Sequence, residues 1–338
     1  GLSPDANALH FNASKLAFVE NDLSISATYT PWLRQLGLQD VYLAYLSGYK
    51  KINDLQSLGF ALRFFSLGDI PFTDIDGMGI GTGKPREFDL SFAYARKLGE
   101  NFSAALTAKY IYSNLAAGRQ LDPTTDITIG SAFGADISLT YIAPINLGDY
   151  GSDLTFGLAI SNLGSKITYT NDLRQDYIPA NLGIGAAWKI DVDDYNSFTV
   201  ALDINKLLVP TPISPLDSLS YDVDPPNGIP DYKEYSLFEG IFKSFGDAPN
   251  GFEEELNEIM YSFGGELGLE QVIALRAGYF TEHQTKGNRK YLTVGLGIKY
   301  KSLTLNGSYL IPNNNEKSPL RKTFRVSLLA DIGERPTK

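Results

Sequence analysis

Few residues in this chain have the types and spacing for chemistry. An acidic stretch, Asp222-Val223-Asp224-Pro225-Pro226-Asn227-Gly228-Ile229-Pro230-Asp231, leads on to Glu234. Asn227, Gly228, Asp231 and Glu234 keep the spacing of positions five, six, nine and twelve of a calcium loop, where carboxylates and a sharp glycine turn enclose a hard cation. Asp222 and Asp224 would supply the first ligands, but they stand one residue too far upstream, with Pro225-Pro226 filling the insertion. Calcium binding and an ordinary acidic turn are both open readings, and no other cofactor is implied. Gly77-Met78-Gly79-Ile80-Gly81-Thr82-Gly83-Lys84-Pro85 has the glycine content of a phosphate loop. Pro85 opposes the helix that such a loop must open, so an outer loop is the expectation. His10 and His283 are isolated, cysteine is absent, and no Ser-His-Asp grouping emerges, so the chain is not expected to be an enzyme.

A second kind of chemistry is recognition. Leu237, Phe238, Ile241, Phe242 and Phe245 recur at helical spacing, as do Phe252, Leu256, Ile259 and Met260. Asn250, three residues before Glu253, has the form of a capping box. These two faces could bind a partner, or could pack on each other or cap a larger body. They belong to a long insertion over 208–260, which begins Pro-rich (Val209-Pro210-Thr211-Pro212, then Pro215). A loop of this length is usually functional.

The elements that must carry such a loop are strands. The chain has 338 residues, 20 Tyr, 19 Phe and 32 Gly, with a net charge of −10 that argues against a nucleic-acid partner. No apolar run nears the ~18 residues that a membrane helix needs. Alternation of period two runs down the sequence instead: Phe88, Leu90, Phe92 and Tyr94 against Asp89, Ser91, Ala93 and Ala95; Phe324, Val326 and Leu328 against Arg325, Ser327 and Leu329. Fourteen segments of this kind are predicted: 23–32, 38–49, 57–67, 86–98, 101–113, 130–142, 152–162, 180–190, 196–207, 261–269, 272–282, 290–300, 302–311 and 321–332. The number is even, and each length suits a tilted transmembrane strand.

Arg63, Asp89, Lys109, Asp136, Lys189, Asp203, Glu266, Arg276, Lys299 and Arg325 fall in the phase opposite the large apolar residues. A charge facing mid-membrane lipid costs roughly 2–4 kcal/mol, whereas a lumen tolerates it. Tyr29, Tyr49, Tyr94, Tyr110, Tyr141, Tyr300 and Tyr309 near strand ends suit an interfacial aromatic girdle. Tight links at 99–100, 270–271 and 301 interleave with long ones, and with a periplasmic N-terminus every long link lies outside. The loop near 33–37 is read as the only short outer one. The expected fold is all-β: a transmembrane antiparallel barrel of about fourteen strands in the outer membrane, lipid around it, with short helices in one long extracellular loop and both termini periplasmic. Residues 1–22 form an N-terminal segment that could plug the lumen, and 23–338 form the barrel. Gly1-Leu2-Ser3-Pro4 reads as the start of a processed chain.

Several motifs then resemble a known family. Ser3-Pro4-Asp5-Ala6-Asn7 with Asn12-Ala13-Ser14 is similar to the start of FadL-like barrels, where Asn-Pro-Ala precedes the first strand; Ala13 and Ser14 depart from that pattern. Ile160-Ser161-Asn162-Leu163-Gly164-Ser165-Lys166 and Ile178-Pro179-Ala180-Asn181-Leu182-Gly183 are similar to the same family. Asn205-Lys206-Leu207-Leu208-Val209-Pro210-Thr211-Pro212 and Phe245-Gly246-Asp247-Ala248-Pro249-Asn250-Gly251-Phe252-Glu253-Glu254-Glu255-Leu256 more specifically resemble PorV (LptO) barrels of the Bacteroidetes type IX secretion system. The resemblance runs over essentially the whole chain. It implies a barrel that binds the C-terminal signal domain of secreted cargo, docks on the SprA/Sov translocon and delivers cargo to the PorU attachment complex. It transfers no single-residue binding motif. The alternative is a FadL-like channel for a hydrophobic small molecule.

Overall fold

A computed structural model describes residues 4–333, except 74–75, 117, 123–124, 148–149, 172–174, 213–221, 223–228, 314–317 and 319. The strands are β1 (Leu23–Pro31), β2 (Val41–Asn53), β3 (Gln56–Leu67), β4 (Arg86–Lys97), β5 (Phe102–Asn114), β6 (Gly130–Leu147) and β7 (Tyr150–Gly164). They continue as β8 (Asn181–Asp191), β9 (Ser197–Leu207), β10 (Met260–Leu269), β11 (Ile273–Thr281), β12 (Lys290–Tyr300), β13 (Leu303–Pro312) and β14 (Phe324–Ile332). Each pairs antiparallel with its chain neighbours, and β14 pairs with β1 to close a fourteen-stranded barrel. Closure matters in lipid, because it leaves no edge with unpaired backbone groups. All fourteen predicted segments are strands. The alternation predicts a strand only to Ile142 on β6, just short of Pro144, but pairing continues to Leu147 opposite Tyr150.

The two faces follow the predicted phases. Phe92, Leu106, Phe133, Val294, Leu296 and Leu328 project outward and are exposed, while Ser57, Ser91, Ala95, Ser103, Ala105 and Thr107 point inward and are buried. Tyr29, Tyr94, Tyr141, Tyr300 and Tyr309 are exposed as a girdle requires, but Tyr49 is not. It lies opposite Ser24 on the inward phase, is 1% exposed, and belongs to the buried cluster inside the barrel. Inner links such as 270–272 are tight. Glu270 and Gln271 both adopt left-handed backbone, which matches the strand twist of a two-residue hairpin. The long connections fall at the opposite end, where 282–289 is a second short outer connection besides 32–40.

Inside the wall lies the N-terminal segment, with a short helix α1 (Ala8–Phe11) followed by a 3₁₀ helix (Ala13–Phe18). It packs on β3–β6. Ser14 is fully buried; its N–H donates to Ser138 Oγ (3.1 Å), its hydroxyl meets Thr140 Oγ1 (2.7 Å), and its carbonyl accepts from Ser103 Oγ (2.9 Å). Asn12 Nδ2 donates to the carbonyl of Leu139 (2.9 Å). These bonds satisfy the segment's polar groups away from water, as burial requires.

Candidate functional site

Two regions concentrate polar and aromatic side chains: the lumen above the N-terminal segment, and the outer insertion. In the lumen the strands set charges face to face across hydrogen-bonded pairs. Arg63 on β3 lies opposite Asp89 on β4, and Arg63 Nε bonds Asp89 Oδ2 at 2.6 Å. Arg276 Nε meets Glu266 Oε2 at 2.5 Å from the adjacent strand, and its Nη1 donates to Asn306 Oδ1 at 2.7 Å. Lys109 Nζ reaches Asp136 Oδ2 (2.7 Å) and Asn162 Oδ1 (3.0 Å). Asp136 sits in the bulge between Ala135 and Ile137, and its Oδ1 accepts the N–H of Asn162, whose backbone is left-handed. The bulge therefore turns a wall irregularity into a fixed polar knot.

A cavity of about 650 Å³ occupies the outer part of the lumen. His10 of the N-terminal segment forms part of its boundary, as do Trp32, Phe65, Ile111 and Ile178. A second space of about 310 Å³ shares His10, Leu43, Arg63 and Arg325 with it and extends to Glu266 and Arg276.

The outer insertion carries three short helices: α2 (Asp231–Glu234), α3 (Leu237–Lys243) and α4 (Phe252–Asn257). Ser236 caps α3, its hydroxyl accepting the N–H of Glu239, a capping pair legible as Ser-x-x-Glu. Asn250 does not cap α4. Gly251 holds that position, while the Asn250 N–H and side-chain amide both bond Glu254 Oε2, at 3.0 and 2.8 Å. Gly240 lets α3 sit against Pro210 and the Tyr177 ring, since a Cβ there would lie 3.3 Å from both. Tyr177 Oη donates to the carbonyl of Tyr235 (2.7 Å), and Lys233 Nζ pairs with Asp176 (2.6 Å).

The predicted aromatic residues divide. Leu237 and Ile241 are half-buried on the side of α3 that carries buried Gly240. Phe238, Phe242, Phe245, Phe252 and Leu256 are exposed, with Phe242 at 76% and Phe252 at 77%. They neither bury themselves against each other nor disappear into the barrel mouth. Sequence reasoning missed what fastens them. Lys206 Nζ bonds Glu255 Oε2 (3.0 Å) and Glu258 Oε2 (2.6 Å), while Lys286 Nζ bonds Glu254 Oε1 (2.7 Å) and Glu258 Oε1 (3.0 Å). Thr211 donates from its N–H to Asp247 Oδ2 (3.0 Å). Burial works against ionised Glu258, yet hydrogen bonds from Lys206, Lys286 and Thr211 outweigh it and hold the carboxyl below its ordinary range. The Lys286 hydrogen bond likewise draws Glu254 down, whereas desolvation raises Asp247. Only the acidic character of 253–258 could have signalled this clasp, since its cations come from β9 and from the outer connection 282–289.

Of the calcium-type residues, Asp224 and Asn227 lie outside the described residues. Asp231 and Glu234 stand in the single turn of α2, and Asp222 in a bend before it. Among the described residues, no three His, Asp or Glu side chains gather as a metal site. Gly79–Gly83 forms a small hairpin with Ile70–Thr73 in an outer loop.

An apolar exterior with an aromatic girdle, a charged lumen and long connections at one end define an outer-membrane β-barrel. Solved structures with this fold include a mutant of the monoaromatic hydrocarbon channel TodX (12% identity, TM-score 0.54, covering 96% of this chain and 94% of that one). The toluene transporter TbuX of Ralstonia pickettii is similar as well (11%, 0.54, 98% and 95%), as is the P. putida toluene transporter TodX (9%, 0.51, 97% and 94%). No curated protein matches the sequence. The family model described as "Type IX secretion system protein PorV" matches residues 1–214, and the chain belongs to the PorV family.

Proposed function

We propose that this barrel is a carrier and adaptor of type IX secretion. It binds the C-terminal signal domain of secreted cargo at its extracellular end, docks on the SprA/Sov translocon and hands cargo to the PorU attachment complex. Membership of the PorV family carries this reading. The exposed phenylalanines of the insertion support it, because aromatic side chains held on a fastened scaffold are the usual anchors of a protein interface. Phe238, Phe242, Phe245, Phe252 and Leu256 are the proposed contact residues, with Leu237 and Ile241 supporting them from the buried side.

A second reading has its own support. The similar solved structures are named as hydrocarbon channels and toluene transporters, and the outer lumen cavity has aromatic and aliphatic walls. The fold likeness favours a channel for a hydrophobic small molecule more directly than it favours a carrier. Against an open apolar path stand the N-terminal segment inside the barrel and the ion pairs around it.

Purification from native membranes in mild detergent separates the two. A carrier retains the translocon and cargo, and loses them when residues 215–250 are deleted from a barrel that still folds. Retention of a hydrocarbon or lipid, with no protein partner, favours the channel. We further propose that Asp222, Asp224, Asn227, Asp231 and Glu234 bind calcium. Calcium then protects the insertion from protease, and identical digestion in chelator removes that proposal.

A further inference from the structure

Six of the described cations of the lumen and outer rim are matched to acids. Arg63 has Asp89, Lys109 has Asp136, Arg276 has Glu266, Arg289 has Glu282, and Lys206 and Lys286 share Glu258. Arg325 breaks the pattern. It projects inward from β14, and no carboxylate among the described residues stands within salt-bridge distance of it. Its Nε makes one long hydrogen bond, 3.4 Å, to the hydroxyl of Thr30.

The place where it sits is equally particular. Arg325 lines both lumen spaces and is exposed to them. The three acids of the outer cavity are already engaged: Asp89 holds Arg63, Asp176 holds Lys233, and Glu87 accepts from the Ser113 hydroxyl at 2.5 Å. Beside these polar groups stand apolar side chains, Trp32, Phe65, Ile111 and Ile178. A guanidinium offers five donors in a fork that matches a carboxylate with two parallel bonds. Among apolar walls such a fork holds an anion more strongly than it would in bulk water.

We infer that Arg325 is a carboxylate-binding residue, and that its ligand is the terminal carboxylate of the cargo's C-terminal signal, entering the outer lumen with its last side chains against the apolar wall. The inference rests on the carrier reading above. A chain terminus brings its anion at the tip of an extended apolar segment, which is the shape this cavity accepts, and capture of a terminal carboxylate is an established mode of peptide recognition. The N-terminal segment at His10 sets the depth to which the tip can reach.

The test uses the purified full-length barrel and the C-terminal signal domain of a secreted cargo, prepared once with its free carboxylate and once as the terminal amide. The wild-type barrel is expected to bind the free acid roughly 10- to 100-fold more tightly than the amide. Arg325→Gln is expected to bind both forms with the affinity that the wild type shows for the amide, and Arg325→Lys to recover part of the preference. Equal binding of acid and amide by the wild type overturns the carboxylate site and leaves the carrier reading standing. Binding of neither form overturns both. An Arg325→Gln barrel that weakens acid and amide alike shows a structural role, and also overturns the site. If that variant does not fold, as judged by heat-modifiable gel migration, the acid-to-amide ratio on the wild type decides alone.

Discussion

At Gly59 the barrel wall and the N-terminal segment approach more closely than a side chain would allow. A Cβ there would lie 2.4 Å from Leu9 Cδ1 and 2.7 Å from Leu16 Cδ1, both from buried residues. Gly59→Val therefore either shifts two packed leucines or displaces the segment. Overpacking of this kind costs about 1–3 kcal/mol. Unfolding of the refolded barrel in denaturant should register that loss, while Gly246→Ala, whose Cβ meets nothing within 4 Å, should leave stability unchanged. Equal stability of the two variants would show that the segment does not pack there. At this scale the sequence was legible only in kind. Alternation put Gly59 on the inward phase with Ser57 and Ala61, but which small residue meets the N-terminal segment depends on the path of a chain forty residues upstream. Tyr49 shows the same limit: its type suited the girdle, and its phase placed it inside.

At the scale of the element, the outer insertion is three short helices that could not stand alone, since isolated helices of such length are marginal in water. What holds α4 is the clasp of Lys206 and Lys286 on Glu254, Glu255 and Glu258. Its pH dependence follows from the carboxyls. Glu254 and Glu258 are held below the ordinary glutamate value, so the unfolded insertion binds more protons than the folded one as pH drops. Their contribution is complete above about pH 4.3, the unperturbed value, and is lost as pH falls through their lowered folded values. Asp247 runs the other way, being raised by desolvation, and acid relieves its cost. Glu254 lies in α4 and Glu258 caps its C-terminus, so acid loosens that helix. Protection factors of the amides over 252–257 should fall between pH 5 and pH 3, although intrinsic exchange itself slows over that range, and Glu258→Gln should show the loosened state already at neutral pH, a loss of about 1.5–3 kcal/mol. Unchanged protection in Glu258→Gln would mean that the clasp contributes nothing. The helices themselves were readable from the spacing of Leu237, Ile241, Phe252 and Leu256. The clasp was not, because its partners lie some thirty to fifty residues apart in sequence and only the barrel brings them together.

For the whole molecule the deciding balance is between lipid outside and water inside. A closed barrel satisfies its backbone, so the side-chain phase alone determines which face meets lipid. That is why the fold was so legible: Arg63, Asp89, Lys109, Glu266, Arg276 and Arg325 each announced the inward phase, and the alternation of short and long links announced the direction of each strand. What sequence periodicity could not carry was the content of the lumen, since the pairing of its charges has no period. The same balance gives a sharp expectation on adjacent strands. Leu296 on β12 is exposed on the outward face, near the middle of its strand, whereas Ser308 on β13 lies opposite Gly295 on the inward phase. Leu296→Lys places an ammonium in hydrocarbon and should lower the unfolding free energy in lipid vesicles by about 2–4 kcal/mol. Ser308→Lys places the same charge in the lumen, where the loss should stay below roughly 1 kcal/mol. In detergent micelles, whose thinner and more adaptable shell lets the lysine reach water, the gap between the two variants should narrow. Equal losses in vesicles would contradict the assignment of faces on which the lumen site, the girdle and the membrane orientation all depend.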